Sequence, residues 1–209
     1  MHYVLVWWFN ERIKPRMRGY CGLVVYADDF VVCFQYKKEA EYFYEHLKKR
    51  MGHFGLRLEK EKSRLIEFGR YAQENAKKRG KKAETFDFLG FTHYCSRSRN
   101  GRFRVKRKTS KKKMAKKCKE MYRLIQEIRN WPLKEIIKKL NQILTGYYHY
   151  YGITDNSRSI WNFRYQVIKM LYHWLNQRSQ KKSYSWKGYN DMLKVYPIVP
   201  ARIYVSVYA

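Results

Sequence analysis

The chain has 209 residues, with 46 Lys plus Arg against 17 Asp plus Glu, a formal net charge of +29. That length suits one large domain or two small ones with a real core, and 20 Tyr with six Trp argue against intrinsic disorder despite the charge. A field of that sign calls for acidic partners, nucleic acid first and a membrane surface second, and no segment is apolar enough to span a bilayer.

Tyr3 to Lys14 reads as a partly buried helix ended near Pro15. Its apolar run, Val4 to Phe9, is short, has no basic region before it and is followed at once by Asn10, Glu11 and Arg12. It therefore makes a poor signal peptide and a poor membrane anchor. Leu23 to Phe34 is the most informative stretch. Val, Tyr and Phe on both sides of Asp28-Asp29 predict two buried strands joined by a tight turn with the carboxylates at the bend. Two adjacent anions repel, and a divalent cation between them would offset that cost. Mg²⁺ prefers carboxylates plus substrate phosphates, and ion pairs of this kind serve phosphoryl and nucleotidyl transfer. A solvent-facing acidic turn with no ligand explains the same residues.

Lys37 to Phe54 carries Ala40, Phe43, Tyr44, Leu47 and Met51 at helical spacing, and Gly55 ends it. Leu56 to Leu58 and Arg64 to Phe68 read as short strands, and Gly69 to Lys82 as a polar surface loop. Thr85 to Tyr94 reads as a strand pair with Gly90 inside it, and Phe103 to Val105 as one more strand. From about residue 108 onward everything reads as helix: Lys111 to Asn130, a second opened by Pro132 and closed by Gly152, a third with capping choices at Asp155, Asn156 and Ser157, and a short one over Trp186 to Val195. The third carries Ile160, Phe163, Val167, Met170, Leu171 and Trp174. Cys21, Cys33, Cys95 and Cys118 are scattered with no Cys-x-x-Cys pair; Cys33 reads as a buried thiol, and a reducing cytosol fits.

Arg97 to Lys119 holds 13 basic residues and no acidic one. Arg102, Arg104 and Lys106 alternate along a strand, Arg107 and Lys108 follow, and Lys112, Lys113 and Lys116 spread around the next helix. A solvated face usually mixes signs, whereas phosphates would relieve this repulsion and release counterions. Gly146 to Gly152 packs four tyrosines into a helix end. Tyr147 and Tyr151 are expected to face inward, leaving Tyr148 or Tyr150 for solvent, a sugar or base stacking.

These stretches resemble one family. Tyr26-Ala27-Asp28-Asp29 is similar to the YADD box of group II intron reverse transcriptase/maturases. Gly55 to Ser63 resembles their next motif, Phe86 to Phe91 the motif that grips the primer end, Gly101 to Lys106 the start of the thumb, and Ile136 to Trp174 the maturase (X) domain. The resemblance implies an α+β chain: a partial reverse-transcriptase palm, an antiparallel sheet with helices, over 1–107, then an all-α thumb/maturase bundle over 108–209. It implies RNA-directed DNA synthesis with two Mg²⁺ ions, Asp28 as direct metal ligand, Asp29 beside it, and Lys62 near the triphosphate. Tyr26 and Ala27 would shape the floor under the primer terminus and the incoming dNTP, and Phe88, Leu89 and Gly90 would approach the primer. The partners implied are group II intron RNA and an RNA/DNA template–primer duplex in a bacterial cytoplasm, with no membrane.

The family's fingers and first catalytic aspartate lie upstream of these motifs, and nothing here replaces that aspartate. The expectation is a C-terminal fragment without a Cys/His-rich endonuclease module: a decayed mobile-element remnant, or part of a split protein served by a companion chain or a homodimer. A non-catalytic RNA-binding maturase module is the alternative function. A ribosomal-protein-like module is a weaker one, since it gives Asp28-Asp29 no purpose.

Overall fold

The computed structural model describes every residue except 60, 62, 99, 181, 182, 208 and 209. The fold is α+β and falls into two compact units, residues 1–88 with 95–104, and residues 89–94 with 105–209.

The first unit is built on a hairpin. Strands β1 (Cys21–Tyr26) and β2 (Asp29–Phe34) pair antiparallel from Cys21↔Phe34 to Tyr26↔Asp29. Strand alternation sorts their side chains. Cys21, Leu23, Val25, Phe30, Val32 and Phe34 join the core, while Val24, Tyr26, Asp29 and Cys33 are exposed on the opposite face. Cys33 is therefore an outward thiol rather than the expected buried one. Helix α1 (Lys37–His53) closes the core with Phe43, Leu47 and Met51, one turn apart. The chain start supplies Leu5, Trp8, Phe9 and Ile13. It is helical as expected, but in π-helical turns over His2–Trp7 and Phe9–Ile13, then a tight turn holding Pro15.

Two expectations fail in the next stretch. Leu56 to Leu58 and Arg64 to Phe68 join no strand ladder among the described residues. The supposed loop contains helix α2 (Ala72–Lys78), whose buried apolar contribution is Ala72 and Ala76 alone. Polar contacts hold it: Asn75 Nδ2 donates to Glu67 Oε1 (2.6 Å), Arg79 pairs with Glu67, and Gln73 Nε2 donates to the Cys95 carbonyl (2.7 Å). Strands β3 (Phe86–Phe88), β4 (Phe91–Arg97) and β5 (Phe103–Thr109) form a sheet in that order.

The second unit is a helical bundle of α3 (Lys111–Ile128), α4 (Leu133–Tyr151), α5 (Ser157–Leu175) and α6 (Trp186–Val195). Their apolar stripes meet in one core: Met121, Ile125 and Ile128 from α3, Ile136, Leu140 and Leu144 from α4, and Ile160, Phe163, Val167 and Leu171 from α5. Leu175, not Trp174, is the fully buried end of the α5 stripe. The tail lies back on this core. Ile198 is buried, Asn141 brackets Pro197 and Val199, and Arg164 donates to the carbonyls of Ile198 and Val199. Beyond it, Tyr204 N donates to Gly152 O (2.7 Å). Among the described residues no helix is long and apolar enough to cross a membrane.

Candidate functional site

Because Tyr26 pairs with Asp29, the β1–β2 loop is two residues long, Ala27 and Asp28. Ala27 has φ +50° and Asp28 is not left-handed, the sign pattern of a type II′ turn. A left-handed alanine is strained by about 1 kcal/mol, and such strain gathers at functional turns. Asp28 occupies the bend and Asp29 opens β2 on the outward face beside Tyr26, which is 63% exposed. Both carboxylates are exposed. Lys62 lies outside the described residues.

The donor set is two adjacent carboxylates, with no cluster of three acidic, His or Cys groups among the described residues. It fits a hard cation that takes its other ligands from water and phosphate, as Mg²⁺ does with one or two carboxylates.

The β3–β4 turn is built differently. Leu89 and Gly90 both have positive φ, +49° and +78°, as a type I′ turn requires. The end of α4 holds the turn in place. Tyr150 Oη donates to Leu89 O (3.0 Å), and Tyr150 stacks on Phe91. From the start of α3, Ser110 N donates to Gly90 O (2.9 Å). A Cβ on residue 90 would stand 2.8 Å from Tyr151 Oη, so a side chain there would have to displace that hydroxyl as well as accept a positive φ, both of which favour glycine.

Behind this turn sits a polar knot that the sequence did not reveal. Asn156 is fully buried. Its Oδ1 accepts from Thr109 N (2.7 Å), and its Nδ2 donates to Thr109 Oγ1 (2.9 Å) and Tyr151 O (2.8 Å). Asn156 precedes α5 as anticipated, but its side chain is spent on this knot instead of capping the helix.

The tyrosine pair left open by the sequence separates. Tyr148 is fully buried, its hydroxyl donating to Val199 O, and burial pushes its pKa up to about 12. It cannot stack on a base. Tyr150 remains 55% exposed. Trp161 and Tyr165, 61% and 53% exposed one turn apart on α5, are surface aromatics that sequence reasoning passed over, with Lys169 Nζ lying 5.5 Å from the Tyr165 ring centroid. Their signal was their position between the core residues Ile160, Phe163 and Val167.

The cations sit just before β5, along it and on α3. Arg102 and Lys108 are exposed, whereas Arg104, Lys106 and Arg107 are half-buried, so the alternation does not put a clean row of charges on one face. Lys108 Nζ lies 5.3 Å from the Tyr94 ring. Ser110 caps α3 by accepting from Lys113 N, and Lys111, Lys112, Lys113 and Lys116 are all exposed. Three lysines in a first turn oppose the helix dipole, which favours anions there.

A family model described as reverse transcriptase (RNA-dependent DNA polymerase) matches residues 4–93, and one described as group II intron, maturase-specific domain matches residues 104–191. The chain belongs to the group II intron reverse transcriptase/maturase family. No curated protein matches it in a sequence search. In this reverse transcriptase/maturase the acidic hairpin lies within the polymerase match, and the lysine-rich α3 lies wholly within the maturase match. Nucleic acid, intron RNA above all, is the partner that both matches imply.

Proposed function

We propose that this reverse transcriptase/maturase binds group II intron RNA through its stretch 97–119 and helps that RNA fold for splicing. The observation that supports this best is the charge of that stretch, 13 cations and no anion, with Lys111, Lys112, Lys113, Lys116 and Lys119 of α3 exposed. Held apart from phosphate these side chains repel one another. Bound to it they release counterions, so affinity falls steeply with salt. Contact with six or more phosphates gives a loss of about 10³-fold between about 50 and 200 mM salt. Anisotropy titrations of the whole chain with intron RNA test this: a salt-steep affinity indifferent to Asp28→Asn supports the reading, and a salt-insensitive one overturns it. In this reading 1–107 is the palm portion and 108–209 the thumb/maturase portion, and the protein acts in the cytoplasm of a bacterium.

The acidic hairpin favours a second activity, RNA-directed DNA synthesis. Asp28 and Asp29 would hold Mg²⁺, which when bound stabilises charge on the transferring phosphoryl group and its leaving pyrophosphate. Tyr26 and Ala27 would floor the nucleotide site and the turn at Phe88, Leu89 and Gly90 would touch the primer backbone. Lys62 would neutralise or protonate the leaving group. A companion chain or a second copy would complete the donor set. Primer extension on poly(rA)/oligo(dT) with Mg²⁺ decides it: extension that Asp28→Asn abolishes supports catalysis, and no extension by the chain with or without added partner leaves RNA binding as its function.

A further inference from the structure

A cleft of about 490 Å³ in the second unit is lined by Lys113, Lys116 and Lys117 of α3 and by Gln142 and Gly146 of α4. Gly146 is the unexpected member. It lies inside a 19-residue helix, where glycine is less favourable than alanine. Its φ is not positive, so no turn needs it. A Cβ built on it would meet nothing within 4 Å, so no packing needs it either. The protein's own fold gives no reason for the missing methyl, and the space above it opens into the lysine-lined cleft.

Glu120, which also lines the cleft, neutralises only one of its three lysines. Lys117 pairs with Glu120 (3.2 Å), but Lys113 and Lys116 have no acidic partner among the described residues. These lysines recur at three- and four-residue spacing, so they share one face of α3. Gln142 and Gly146, four apart, share one face of α4. Gln142 is exposed and carries both a donor and an acceptor, as a ribose 2′-hydroxyl requires.

We infer that this cleft seats the sugar–phosphate backbone of an RNA strand, which makes its closest approach over Gly146 while Lys113 and Lys116 contact its phosphates. The inference rests on the reading that the chain binds RNA and names where one strand lies.

The test uses the whole chain, a fluorescein-labelled single-stranded intron RNA and its DNA counterpart. Gly146→Ala and Gly146→Leu are expected to fold, with melting temperatures at or above that of the parent, Ala by about 2–4 °C. Both weaken RNA binding, Leu by about tenfold or more. Lys113→Gln with Lys116→Gln lowers the salt slope by about 0.7 for each phosphate no longer neutralised. Adding Gly146→Leu to that double variant costs little more, because both changes act on the same stretch of RNA backbone. If Gly146→Leu melts no lower than the parent and binds RNA equally well, the cleft is not the seat. Equal binding of the DNA strand overturns the choice of RNA. A parent chain that binds no RNA at all refutes the underlying reading instead, before any variant is compared.

Discussion

Asn156 ties together three segments of the second unit. It is fully buried and satisfies a backbone donor, a hydroxyl and a backbone acceptor at once. Replacing it with alanine strands buried polar groups that cost about 1–3 kcal/mol each. Asn156→Ala is therefore expected to lower unfolding free energy by about 2–4 kcal/mol, read from the urea midpoint at unchanged slope. Ala27 carries the opposite sign. Its φ of +50° is comfortable for glycine, so Ala27→Gly should not destabilise the hairpin and should relieve about 1 kcal/mol of strain. A loss of stability there would show that the methyl has packing contacts worth more than the strain. At this scale the sequence was only partly legible. The acidic turn could be read from Val-Val-Tyr-Ala-Asp-Asp-Phe-Val-Val, because alternation and turn chemistry are local. The Asn156 knot could not, since Thr109 and Asn156 are 47 residues apart.

At the scale of the element, periodicity found α1, α3, α4, α5 and α6 because each has a continuous apolar stripe. It missed α2, whose stripe is two alanines and whose supports, Glu67 and the Cys95 carbonyl, come from outside the helix. It also promised strands at 56–58 and 64–68, where apolar residues exist without a ladder partner among the described residues. The β1–β2 hairpin allows a sharper expectation. Gln35 N donates to Tyr20 O, which puts the pairs 22↔33, 24↔31 and 26↔29 in hydrogen-bonded register. The amides of Val24, Tyr26, Val31 and Cys33 should therefore exchange slowly. Those of Leu23, Val25, Phe30 and Val32 point along the outer edges of a two-stranded sheet and should exchange fast. Uniformly slow exchange from Leu23 to Phe34 would mean that something else covers those edges.

At the scale of the whole molecule, charge and buried phenols set the response to solution conditions. Burial raises the pKa of Tyr148 to about 12, and those of Tyr147 and Tyr189 also rise. In the unfolded chain a tyrosine loses its proton near pH 10, so between pH 10 and 12 the unfolded state holds fewer protons and stability falls as pH rises. Below pH 10 this contribution is fully present. Tyr148→Phe should therefore flatten the decline in melting temperature above pH 10. An identical decline in parent and variant would show that other groups govern it. The returning tail has a practical consequence for anyone trimming this protein. A version ended at Val195 would keep every helix that periodicity predicts, yet Ile198 would be absent and the Tyr148 hydroxyl and Arg164 guanidinium would be deprived of their acceptors at Ile198 and Val199. Domain limits drawn from helices alone would thus deliver an unlatched bundle, and cutting after residue 207 instead would preserve the clasp.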